Sequence, residues 1–130
     1  MNLVAEARTA QRAAYAPYSK YQVGCALETA DGAVYTGCNV ENASYGATLC
    51  AERVAIFKAV SEGHREFRRF VICTDSTTPA APCGLCRQVM AEFCGPEVEI
   101  ILCGAHETEV RYRFGDLFPL PFNLTSLLQP

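Results

Sequence analysis

Apolar residues recur along the chain with two alternating periods, and that alternation predicts the order of elements. Leu3, Ala7, Ala10 and Ala14 follow helical spacing, and Pro17 closes the stretch because proline disfavours the helical region for the residue before it. Residues 23–27 and 34–40 then read as strands around Asp31-Gly32, a dipeptide suited to a tight hairpin. Arg53, Ile56, Phe57 and Val60 resume a helical stretch that stops at Gly63, and residues 70–73 form a short apolar strand. Leu85, Val89, Met90 and Phe93 predict a further helix ended by Gly95-Pro96, with residues 98–103 as the next strand. Strand, helix, strand in that order implies a right-handed crossover and helices packed on the faces of a sheet, so the fold class is α/β. No repeat, low-complexity stretch or linker interrupts residues 1–130, which read as one domain.

A chain of 130 residues buries about two thirds of the surface its unfolded form exposes, enough to fold without disulfides. Its net charge of −3 argues against a polyanionic partner, since binding a phosphate backbone takes clustered Lys and Arg. Arg65, Arg68 and Arg69 do cluster, but Glu62 and Glu66 interleave, and the run reads as a solvated helix end and loop rather than a nucleic-acid surface. No uncharged run approaches the roughly twenty residues of a membrane span. Glu6 and Arg8 stand where a signal peptide would be apolar, so the expectation is a soluble, cytoplasmic protein. From Phe114 onward the chain carries Leu117, Phe118, Leu120, Phe122, Leu124, Leu127 and Leu128, broken by Pro119 and Pro121. That much apolar surface should be covered, either by the same domain or by another subunit.

Two cysteine-bearing segments carry the chemistry: Cys50-Ala51-Glu52 and Pro82-Cys83-Gly84-Leu85-Cys86. Together they offer three thiolates for one tetrahedral ion, with a carboxylate beside them and no fourth protein ligand. Structural zinc sites close all four positions with protein, whereas catalytic sites keep one for water. Residues two apart within a helix point about 200° apart, so a shared site has to lie off a helix end, where first-turn side chains lean toward the N-terminus. Cys50 opens one helix and Cys86 falls in or near the first turn of the next. Two helix ends therefore face one ion, and their dipoles favour thiolate over thiol. A redox Cys-x-x-Cys would leave Cys50-Ala51-Glu52 without a role. A closed structural site would need Cys25, Cys38 or Cys73, and no spacing recommends them. His64 and His106 are isolated. Removing the three candidate ligands from eight cysteines leaves an odd five, which read as small apolar residues in a reducing compartment.

Cys50-Ala51-Glu52 with Pro82-Cys83-x-x-Cys86 resembles the zinc nucleoside and nucleobase deaminases, with Cys in place of His as the first ligand. Segments 14–20, 37–45, 50–53 and 82–88 together resemble the small homotetrameric cytidine deaminases over essentially the whole chain. The resemblance implies a three-layer α/β/α fold with a mixed β-sheet of about five strands. It implies one Zn²⁺ per chain on Cys50, Cys83 and Cys86, and deamination of cytidine and deoxycytidine in pyrimidine salvage. Water activated by the metal would attack C4, and Glu52, not itself a ligand, would carry the proton to N3 and then to the departing ammonia. Three thiolates leave Zn²⁺ with a net charge of −1, and Arg53 resembles the family's arginine that offsets it by hydrogen-bonding the cysteines. The Ala51 backbone resembles a contact to the base. Asn39 and Glu41, flanking Val40, resemble the pair that grips the ribose. Glu41 would also repel a nucleotide's phosphate, so the substrate is expected to be the free nucleoside. Tyr21 stands where relatives commonly have Phe and adds a hydroxyl that needs a partner. Phe122 and Tyr45 resemble residues that complete a neighbouring subunit's site. Two rivals remain: deamination of another amino-heterocyclic nucleoside, and a non-catalytic zinc-stabilised domain.

Overall fold

A computed structural model describes residues 2–124. Helix α1 (Leu3–Arg12) starts at Asn2, whose side chain accepts from the Ala5 N–H at 3.2 Å. It ends sooner than its apolar spacing predicts, with Ala13 as its cap and Ala14 outside. The backbone is drawn away before Pro17 can act: the Tyr15 N–H bonds the Asn39 carbonyl at 3.0 Å, and the Glu41 N–H bonds the Tyr15 carbonyl at 2.9 Å. The chain after α1 is thereby fastened to the segment bearing Asn39 and Glu41.

Strands β1 (Gly24–Thr29) and β2 (Val34–Cys38) form the expected hairpin, with Gly32 at a φ of 92° in its turn. The strand predicted over 34–40 stops at Cys38, since Val40 instead bridges Tyr15 and Leu49. Next come α2 (Ala51–Ser61), β3 (Phe67–Cys73), α3 (Gly84–Phe93), β4 (Glu99–Cys103), β5 (Glu109–Arg113) and the short α4 (Phe114–Leu117). The sheet runs β2-β1-β3-β4-β5; β3 and β4 are parallel and the other pairs antiparallel. Its larger core joins Leu27, Phe70, Ile72, Ile100 and Leu102 to Ala55, Ile56 and Ala59 of α2 and Met90 of α3. The opposite face packs Ala26, Val71 and Ile101 against Ala7 of α1. These are the three layers, with the mixed five-stranded sheet in the middle.

Strand β5 has no counterpart in the apolar spacing. It is the sheet's edge, and its charged residues flank Val110 and Tyr112 with little burial on either face. Arg68 and Arg69 also differ from expectation, lying within β3 rather than in a helix end or loop. They pair with Glu28 of β1 at 3.5 and 3.0 Å, which cross-strand register permits and helical spacing could not reveal. Leu117 and Phe118 pack against the larger core, while Leu120, Phe122 and Leu124 are exposed; Leu127 and Leu128 lie outside the described residues. Among the described residues, no helix is long and apolar enough to cross a membrane.

Gly37 in β2 sets the height of α2 above the sheet. A Cβ there would collide with the Ala51 carbonyl and the Ala55 N–H, both backbone atoms of the helix's first turns. Gly37→Ala is expected to destabilise the fold by about 1–3 kcal/mol, the usual range for overpacking a tight contact. Because the strain falls on the helical turn that Cys50 caps, zinc affinity should drop with it. Chemical denaturation and zinc titration of the variant check both effects.

Candidate active site

Helices α2 and α3 begin next to each other, and their caps are the cysteines. Cys50 is the N-cap of α2, with Ala51 and Glu52 in its first turn. Cys83 caps α3, its sulfur accepting from the Cys86 N–H at 3.5 Å. The Cys50 and Cys83 sulfurs are 3.7 Å apart, those of Cys83 and Cys86 3.4 Å, and all three lie within 4.8 Å of one another. Tetrahedral zinc with Zn–S bonds of about 2.3 Å needs sulfurs about 3.8 Å apart, so the donor set fits that ion. Among the described residues, no further Cys, His, Asp or Glu atom belongs to the group. The closed site built with Cys25, Cys38 or Cys73 is therefore not formed. Cys25 and Cys73 are buried in the sheet, as is Cys103, while Cys38 and Cys94 are half-buried.

The sulfurs share protons unevenly. The Cys86 thiol, then Arg53 and Cys83, hydrogen-bond Cys50 and lower its pKa to about 5 against the cost of burial. Cys86 is pushed far upward, first by that same bond to Cys50 and then by burial. Arg53 donates to the Cys50 sulfur at 3.4 Å and to the Thr48 carbonyl at 3.3 Å, and its buried Nε has no hydrogen-bond partner among the described residues. A guanidinium held against a sulfur in this way stabilises a thiolate, and with it an electron-rich metal cluster.

Glu52 is only 4% exposed. Burial raises its pKa to about 7, the Cys50 charge adds to the rise, and a hydrogen bond from Cys86 partly opposes it. A carboxyl poised near neutrality beside the thiolates can both take and return a proton.

A cavity of about 360 Å³ is lined by Tyr18, Ser19, Glu41, Asn42, Tyr45 and Thr48. The Glu41 carboxylate accepts from the Tyr18 N–H at 2.9 Å, the Ser19 N–H at 3.1 Å and the Ser19 hydroxyl, which together lower its pKa. Asn39 is 8% exposed; its carbonyl accepts from the Val23 N–H at 2.9 Å and its amide donates to the Tyr21 carbonyl at 2.8 Å. One N–H and one lone pair of that amide are left over. The hydroxyl of Tyr21 meets that of Ser76 at 2.9 Å. Tyr45 stands edge-on to Tyr18 with ring centres 6.1 Å apart, and the Phe122 carbonyl accepts from the Gln88 side chain at 3.0 Å.

Sequence reasoning does not single out Ser19, Thr48 or Ser76. Each is an ordinary polar residue whose partner lies across the fold or in an adjoining turn, and no spacing pattern marks it. Ser19 alone carries a hint, lying inside a segment already set apart by its resemblance.

The family model for the cytidine and deoxycytidylate deaminase zinc-binding region matches residues 1–102. A cytidine deaminase from Sporosarcina psychrophila is 51% identical over 100 residues, 77% of this chain and 74% of the relative. One from Halalkalibacterium halodurans is 52% identical over 100 residues, 77% of this chain and 76% of the relative. The crystal structure of cytidine deaminase from Burkholderia pseudomallei superposes with a TM-score of 0.88 at 46% identity, covering 92% of this chain and 96% of the other.

Proposed function

We infer that this chain, which belongs to the cytidine and deoxycytidylate deaminase zinc-binding family, is a zinc-dependent enzyme that hydrolyses cytidine to uridine and ammonia. The observation that carries this reading is the three-sulfur cluster across two helix N-termini with the buried Glu52 beside it. Zinc, when bound, acts as a Lewis acid that makes water nucleophilic toward C4 of the pyrimidine. Cys50, Cys83 and Cys86 hold it, and Arg53 keeps Cys50 anionic. Glu52 takes one proton from the attacking water and delivers it to N3. It then transfers the second to the exocyclic nitrogen, which departs as ammonia, so the carboxylate is regenerated. A pKa near 7 suits both directions of transfer.

The remaining groups bind. The Ala51 backbone contacts the base, and Tyr21 offers a ring to stack on it. The unused N–H and lone pair of Asn39 and the Glu41 carboxylate take ribose hydroxyls. Deoxycytidine is accepted if the grip falls mainly on the 3′ hydroxyl. Glu41 disfavours a phosphorylated sugar, and Lys20 is the cation that acts on it. The exposed Leu120, Phe122 and Leu124 are covered in a homotetramer, where Phe122 and Tyr45 complete neighbouring sites. Residues 1–130 act as a single cytoplasmic catalytic domain of pyrimidine salvage.

The test pairs metal analysis with the absorbance change as cytidine becomes uridine. We expect about one zinc per chain, activity lost on chelation, and activity restored by zinc. A zinc-replete protein that leaves cytidine unchanged would overturn the reading, and turnover of a different aminopyrimidine nucleoside would reassign the substrate.

A further inference from the structure

We propose that Ser76 is a positioning residue for nucleoside binding, acting through the hydroxyl of Tyr21; this rests on the deaminase reading above. A continuous polar chain joins the cavity to the central sheet. The Ser19 hydroxyl donates to the Glu41 carboxylate and accepts from the Tyr21 N–H at 3.0 Å. Asn39 holds the Tyr21 carbonyl at 2.8 Å, so the backbone of Tyr21 is fixed on both sides by residues of the ribose web. Its ring reaches outward to Ser76 at 2.9 Å, and Ser76 meets the Thr74 hydroxyl at 2.8 Å.

Thr74 is an immovable end to this chain. It is fully buried, its N–H bonds the Cys103 carbonyl at 2.9 Å, and its carbonyl accepts from Arg8 at 2.7 Å. The Ser76 carbonyl is itself held by the Ala105 N–H at 2.8 Å. The ring of Tyr21 is therefore pinned at both ends, one in the ribose web and the other beyond the end of β3. Without the Ser76 hydroxyl, the far end of a 38% exposed side chain regains rotamer freedom that substrate would have to remove on binding. The hydrogen bond acts alike on bound substrate and transition state, so its loss should appear in KM and not in kcat. Ser76 lies in a partly exposed loop, where removing one hydroxyl is not expected to unfold the protein.

The experiment measures kcat and KM for cytidine, and the calorimetric Kd for uridine, in Ser76→Ala, Tyr21→Phe, the double variant and Ser76→Thr. In each single variant we expect KM and Kd to rise roughly two- to tenfold, the size one neutral hydrogen bond carries, with kcat within about twofold. The double variant should be no worse than either single one, because both remove the same bond. Ser76→Thr, which keeps a hydroxyl, should restore wild-type values. Unchanged KM and Kd in Ser76→Ala, effects that multiply in the double variant, or a fall in kcat at constant KM would each overturn the proposal. A wild-type protein inactive on cytidine sinks the parent reading as well, whereas an active wild type with an unaffected Ser76→Ala sinks this inference alone.

Discussion

Glu52→Gln should lower turnover by about a thousand- to ten-thousandfold, the upper range for one general acid–base group, with zinc content and fold intact. Gln fills the same space and cannot accept a proton. Glu52 does not belong to the sulfur cluster, so metal retention is expected, and near wild-type turnover by a zinc-loaded variant would remove Glu52 from the mechanism. The same substitution reports on stability. Burial lifts the Glu52 pKa from 4.5 to about 7, so the fold favours the protonated form. The associated stability is fully present below about pH 4.5 and is lost as pH rises through about 7, an amount of about 3 kcal/mol by pH 8. Chelated wild-type protein should therefore lose stability relative to chelated Glu52→Gln between pH 5 and 8. Parallel denaturant midpoints for the two proteins across that range would contradict the raised pKa. In the zinc-loaded enzyme the acting base must be ionised, so activity should fall toward acid pH, and a kcat/KM profile checks this.

The metal cluster is legible in the amino-acid sequence because coordination chemistry constrains residue type and spacing together. Three thiolates from Cys50, Cys83 and Cys86 can meet only off helix ends, and both Cys50 and Cys83 prove to be N-caps. Strands with apolar cores are legible for a similar reason, since burial leaves a periodic trace. Other features leave none. Strand β5 is a charged edge, and the end of α1 is set by Tyr15 pairing with residues far along the chain. Resemblance points to Asn39 and Glu41, but not to the grip that both exert on the 18–23 loop. The Tyr21 hydroxyl needs a partner on chemical grounds, and only the fold supplies Ser76, across 55 positions of sequence. Pairwise polar contacts between distant segments depend on register and loop geometry, which local sequence does not encode.

Cys86→Ala is the second large effect: zinc content should fall from about one per chain to below about a tenth, and deaminase activity should disappear with it. Zinc held by a small cysteine site contributes about 10–16 kcal/mol, so losing one of three thiolates removes about 3–5 kcal/mol, or a factor of about a hundred to several thousand in affinity. In the metal-free protein the neighbouring Cys86 also lowers the Cys50 pKa, so without it Cys50 is less readily a thiolate. Metal binding must strip the proton from Cys86, whose pKa lies far above the ordinary thiol range, so wild-type zinc affinity should weaken steeply as pH falls. Because Cys86 is fully buried, a packing defect has to be told apart from the loss of metal. Thermal unfolding with and without chelator does this. Chelation should lower the wild-type midpoint to about that of the variant and leave the variant unmoved, because both then lack the ion that ties α2 to α3. A variant midpoint well below that of chelated wild type would assign the damage to packing, and a variant that still binds zinc tightly would show that Cys86 is not a ligand.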